Sequence, residues 1–175
     1  MSFLTLDLLI RDLRSLDFRE IEWLFPFVLT LHNAEEAIWL PEWSKRVGSW
    51  FRPVAPGVFR FAVVVVTLLV YVLTWLSANS GKQSVWTYLV FGSIAVALVN
   101  VLIPHLAATI VQRSYMPGVA TAVLLNLPVM SLLVVLAVRE GYVSGWKSVA
   151  YFLAVTGVSA ALIPALFKLG NKLGF

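Results

Sequence analysis

The chain has 175 residues, 60% of them hydrophobic and 13% charged, with a mean hydropathy of +0.88; a composition this apolar cannot be hidden inside a soluble domain of that length and marks an integral membrane protein. The absence of cysteine excludes disulfides, thiolate metal ligands and cysteine nucleophiles. The formal charge of +4 comes from Lys and Arg scattered over tails and loops with no basic run or helix face, which argues against nucleic acid and for contact with lipid headgroups.

Residues 1–19 carry apolar side chains at 3, 6, 9, 10, 13 and 16, interrupted by Asp7, Arg11, Asp12 and Arg14. That pattern is too broken for a signal-peptide core and predicts an amphipathic helix lying in the interface. Five spans come after it, at about 21–40, 58–76, 85–111, 118–138 and 146–167. The first is the most polar, holding Glu22, His32, Asn33, Glu35 and Glu36. The second is strongly apolar through Val63–Val66 and ends at a turn, Asn79-Ser80-Gly81-Lys82, with Trp75 and Trp86 placed for an aromatic belt. The third contains Asn100, Pro104 and His105 and is long enough to tilt or kink; the fourth contains Asn126 and Pro128; the fifth ends in a polar tail from Lys168. The predicted fold is an all-α polytopic transmembrane bundle in a single domain, 1–175. Lys and Arg are nearly balanced between the two sides; the dense loop from Lys45 to Arg60 leans the C-terminal side toward the cytoplasm and the N-terminus outside.

Ionisable groups at membrane depth are costly and usually functional. On a helix advancing about 100° per residue, His32, Glu35 and Glu36 share an arc of about 100°. Counted at about 1.5 Å per residue, the Glu pair lies past the midplane, Asn100 lies at the same level, and Asn126 comes close to it on the returning span; His105 falls nearer the exit unless its helix tilts. Pro104 cannot donate to the carbonyl of Asn100, so that residue can offer a backbone oxygen as well as its amide.

The segment Leu31-His32-Asn33-Ala34-Glu35-Glu36-Ala37 resembles the HXXEE family of small polytopic bacterial membrane proteins, named for this motif, and Arg113-Ser114-Tyr115-Met116-Pro117-Gly118, following Asn100 and His105, is similar to that family too. The resemblance covers nearly the whole chain and implies a multi-pass protein of the bacterial cytoplasmic membrane. It implies no particular reaction.

Three readings of the residues stand. In the first, His32, Glu35, Glu36 and His105 are candidate ligands of one divalent metal, zinc or iron, with Asn100 or Asn126 behind them; two carboxylates nearly cancel the ion's charge, and activated water would hydrolyse a lipid or other apolar substrate, with one Glu as base. A diiron centre fits less well, because it needs more buried acids. In the second, no metal is bound and Glu35 and Glu36 act as proton donor and acceptor with His32 as relay, isomerising or cyclising an isoprenoid or sterol; the architecture is similar to emopamil-binding-type isomerases, without a shared motif, and nearby aromatic rings such as Trp39 could stabilise a carbocation. The third is a transporter or other non-catalytic proton- or cation-binding protein. The catalytic candidates are thus His32, Glu35, Glu36, Asn100 and His105, and the substrate-binding candidates Trp39, Asn126, Arg113 and Tyr115, the last two as headgroup contacts. No HExxH motif, nucleophile elbow or phosphate loop is present.

Overall fold

The computed structural model describes residues 16–47 and 52–175, and all regular structure among them is helical. Most of the expected interfacial segment, residues 1–15, lies outside the described residues. The described chain begins with a single turn, α1 (Phe18–Ile21), capped by Asp17, whose side chain accepts the Arg19 N–H at 2.7 Å.

Five long helices then run up and down: α2 (Leu24–Ser44), α3 (Pro56–Ala78), α4 (Val85–Gln112), α5 (Val119–Arg139) and α6 (Gly145–Leu173). Among the described residues, α3 to α6 are long and apolar enough to cross a membrane. At 21 residues α2 also has the length, about 30 Å, but His32, Asn33, Glu35, Glu36 and Glu42 lower its hydropathy. The helices overrun several expected limits. Pro41 does not end α2, and α6 continues through Lys168 and Lys172 until Gly174 turns left-handed at φ 83°. Both overruns carry polar residues beyond the apolar part of the helix, so polarity there does not end the helix.

The polar and apolar parts of the bundle segregate by depth. Phe25 and Val28 at the start of α2, Ile94 in the first half of α4, and Met130 and Leu133 in the second half of α5 form a dense apolar core at one end. That end is closed by a polar clip: the Arg19 guanidinium donates to Glu22 at 2.8 Å, to the Ser77 carbonyl and to the Ser80 carbonyl at 2.9 Å, and Ser77 Oγ donates to the other Glu22 oxygen at 2.8 Å. α4 and α6 touch at Gly92, where a Cβ would stand 2.9 Å from Val155 Cγ2 and 3.0 Å from the Tyr151 carbonyl; only a missing side chain allows the two backbones this close.

A kink and a wide turn set up the opposite half. α4 is kinked within Val101–Leu106, where Ile103 leaves helical geometry (φ −132°, ψ 116°) ahead of Pro104. α5 stays helical but widens into a π turn at Ala122–Asn126. His105, just past the kink, and Asn126, at the end of the π turn, face the interior at 0% and 1% exposure.

Candidate functional site

His32 and Glu36 lie one turn apart in the middle of α2, and His105 meets them from just past the kink in α4. Glu36 Oε1 stands 3.3 Å from His105 Nε2 and 3.9 Å from His32 Nε2, and the two imidazoles meet edge to face with centroids 4.7 Å apart. One ligand atom from each of the three residues falls within 4.8 Å of the others. Both histidines are buried, yet His32 Nε2 and both nitrogens of His105 have no hydrogen-bond partner; the 3.3 Å approach of Glu36 is an ion-pair distance without hydrogen-bond alignment. Leaving a buried nitrogen unpaired costs about 1–3 kcal/mol, so two unpaired Nε2 atoms turned toward the same Glu36 oxygen demand an explanation.

Glu35 is engaged elsewhere. Its Oε1 accepts the Gly118 N–H at 2.8 Å and the Tyr115 hydroxyl, and its Oε2 accepts the Thr121 N–H at 3.0 Å and the Thr121 hydroxyl at 2.6 Å. The reason lies in α5. Its N-cap is Gly118, which has no side chain to bond the exposed N–H groups of the first turn. A carboxylate from α2 does so, at the positive end of the α5 dipole. Gly118 is required for a second reason: its φ is +94°, and a Cβ there would stand 2.5 Å from His105 Cε1 and 3.0 Å from Glu36 Cγ.

This arrangement also determines which nitrogen of His32 carries its proton. Thr121 Oγ1 has one hydrogen, and the shortest available acceptor is Glu35 at 2.6 Å, so toward His32 Nδ1 at 3.1 Å the hydroxyl can only accept. His32 is therefore protonated on Nδ1, and its Nε2 lone pair faces Glu36 and His105. The chain Tyr115, Glu35, Thr121, His32 has the form of an outer shell that fixes ring orientation and tautomer. Outside the spans, Tyr115 bears the imprint of this network: burial, and then its bond to the Glu35 carboxylate, push its phenol up to about 12.

Beside the cluster lies a cavity of about 340 Å³ between α2, α3, α4 and α6. Its walls are apolar, with Phe25, Phe59, Val66 and Phe167 among them; His32, Asn33, Glu36 and Asn100 supply polar groups. Asn33 is tied to Thr67 of α3 at 2.8 Å and Ser93 to the Leu89 carbonyl at 2.9 Å, which leaves His32, Glu36, Asn100 and Ser159 as the polar side chains facing an occupant.

The residues expected from the sequence therefore divide. His32, Glu36 and His105 converge; Asn100 shares the cavity with the first two. Glu35 adjoins them but turns its oxygens to the start of α5. Asn126 is buried with an unpaired Oδ1. Trp39 and Tyr115 wall a separate pocket at the end of α2, and Arg113, exposed, ends α4 in a left-handed conformation at φ 49°. Thr121 and Gly118 were not singled out from the sequence. Gly118 could have been, since a glycine opening a long apolar helix after Pro117 marks a special backbone. Thr121 carries no such signal.

Comparison with known proteins adds a family. The family described as "Protein of unknown function with HXXEE motif" matches residues 23–134. An uncharacterized protein of Bacillus subtilis (strain 168), YrkK, is 39% identical over 149 residues, spanning 85% of this chain and 94% of that protein. No solved structure matches.

Proposed function

The chain belongs to the HXXEE family, and from that premise we propose that it is an intramembrane enzyme of the bacterial cytoplasmic membrane in which His32, Glu36 and His105 hold one divalent metal ion, zinc or iron, for hydrolysis of a lipid or similarly apolar substrate. The observation that carries this reading is the pair of buried Nε2 atoms, from His32 and His105, that lack hydrogen-bond partners and face one oxygen of Glu36. Two imidazoles and a carboxylate suit zinc or iron, and both metals tolerate such a site with a position left open for substrate. Ligands about 2.0 Å from one ion in tetrahedral array stand about 3.3 Å apart; Glu36 and His105 already have that separation, His32 stands 3.9 Å from Glu36, and all three ligand atoms lie within 4.8 Å of one another, so the rings would have to close on the ion.

With Glu35 committed to the α5 cap, Glu36 alone offers a carboxylate to the centre, so it would offset half the charge of a divalent ion held there between the two imidazoles. A divalent ion, when bound, polarises a carbonyl and lowers the pKa of water near it. The chain's own residues do the rest. Thr121 holds His32 with its lone pair inward, and Asn100 offers an amide to orient a polar group at the mouth of the cavity. The apolar walls take a hydrocarbon portion and keep bulk water away.

A second reading, a metal-free acid–base isomerase, draws support from the contact between Glu36 and His105 and from the phenylalanines around the cavity, which could face a carbocation. Elemental analysis of protein purified without a histidine tag separates the two. The proposal expects close to one zinc or iron per chain, lost in His32→Ala and His105→Ala; wild-type protein free of both metals after gentle purification overturns it in favour of the isomerase.

A further inference from the structure

A second cavity, of about 440 Å³, opens where α2 leaves the bundle. Trp39, Trp43, Tyr115 and Pro117 wall it, and Glu42 and Arg46 supply one charge of each sign. We infer that this pocket is a binding site for the headgroup of a zwitterionic phospholipid bearing a primary amine, phosphoethanolamine in chemical terms.

Each part of such a headgroup finds its counterpart. The guanidinium of Arg46 is suited to a phosphate, to which it can present two parallel N–H groups. An ammonium suits the aromatic faces and the carboxylate of Glu42, which already holds one: Lys45 Nζ donates to Glu42 Oε1 at 2.6 Å. A quaternary ammonium could use the rings but has no N–H for the carboxylate, and a purely anionic headgroup brings no cation to the rings or to exchange for Lys45 on Glu42. The level is also right. Trp39 and Tyr115 are 55% and 54% exposed, and Arg46 lies two residues beyond the end of α2, at the height where amphipathic rings and snorkelling cations meet headgroups.

The pocket is connected to the histidine cluster. The ring of Tyr115 faces the pocket while its hydroxyl donates to Glu35, which in turn holds Thr121 and so His32. A lipid seated on that ring steadies Tyr115 and, through it, the tautomer of His32. The binding itself does not require a metal, so this inference and the metal-centre reading fail separately.

The test is lipid retention by the full-length protein in detergent, measured by native mass spectrometry with phosphatidylethanolamine and phosphatidylglycerol of matched acyl chains at equal concentration. Wild type should retain the amine lipid at least about fivefold over the anionic one. Glu42→Gln should bring that ratio close to parity, and Arg46→Ala should lower retention of both lipids, while melting temperature and metal content stay at wild-type values. A wild-type preference below fivefold overturns the inference, and so does an unchanged preference in Glu42→Gln.

Discussion

Thr121→Val tests whether a residue one step removed from the proposed ligands governs their metal. Valine keeps the shape and branching of threonine and removes the hydroxyl's bonds to Glu35 at 2.6 Å and His32 Nδ1 at 3.1 Å, together with its longer contact to the Gly118 carbonyl at 3.2 Å. Glu35 retains the Gly118 and Thr121 N–H groups and the Tyr115 hydroxyl, so the cap on α5 survives. The loss falls on His32, whose ring gives up its hydroxyl partner at a cost of up to about 1–3 kcal/mol and keeps only the Gly118 backbone beside it. The ring can avoid that cost by moving its proton to Nε2 or by turning, and either change withdraws the lone pair from Glu36 and His105. Outer-shell changes of this kind weaken metal binding by about 10- to 100-fold, equivalent to about 1.4–2.8 kcal/mol. A zinc titration in detergent against a chromophoric chelator reads the affinity directly, and Thr121→Ser, which restores the hydroxyl, should return it to within about threefold of wild type. Equal zinc affinity in wild type and Thr121→Val would refute the tautomer argument.

Gly118→Ala forces a Cβ into 2.5 Å of His105 Cε1 at a φ of +94°, and the left-handed backbone and the overpacking should together cost more than about 2 kcal/mol, read as a lower melting temperature together with lost metal. Arg19→Ala strands the fully buried carboxylate of Glu22 and should destabilise the bundle by about 3 kcal/mol in thermal unfolding. Burial already pushes Glu22 above the usual carboxylate range, so its protonation on acidification should shrink that deficit. Tyr115, pushed up to about 12, favours its neutral phenol in the folded protein, so its contribution is complete below about pH 10 and is lost between about 10 and 12. Absorbance titration should show the highest tyrosine step disappear in Tyr115→Phe, and the alkaline loss of stability should be smaller in that variant.

The bundle was legible because membrane depth imposes long apolar segments, and the first span stood out because its polarity violates that rule. The site was legible only to the level of an arc. Residues 35 and 36 are about 100° apart on a helix, close enough to look like a pair and far enough apart to serve different neighbours. The sequence shows a glycine opening the fourth span but not which side chain caps it, and that cap is what diverts Glu35. Counting along a regular helix puts His105 too near the exit; the kink at Ile103 within Val101–Leu106 breaks that count. Thr121 was hidden by company. Thr67, Thr74 and Thr156 all bond the carbonyl four residues back within their own helices, and a threonine in an apolar span is expected to do the same.

The proposed function stands on two imidazoles from different helices and one carboxylate surrounding a single ion. X-ray absorption at the metal edge of tag-free protein reads the atoms around that ion. Nitrogen and oxygen neighbours are expected at about 2.0–2.1 Å with the more distant scattering of two imidazole rings, falling to one ring in His105→Ala. A spectrum without imidazole scattering, or one unchanged by that substitution, contradicts the metal centre.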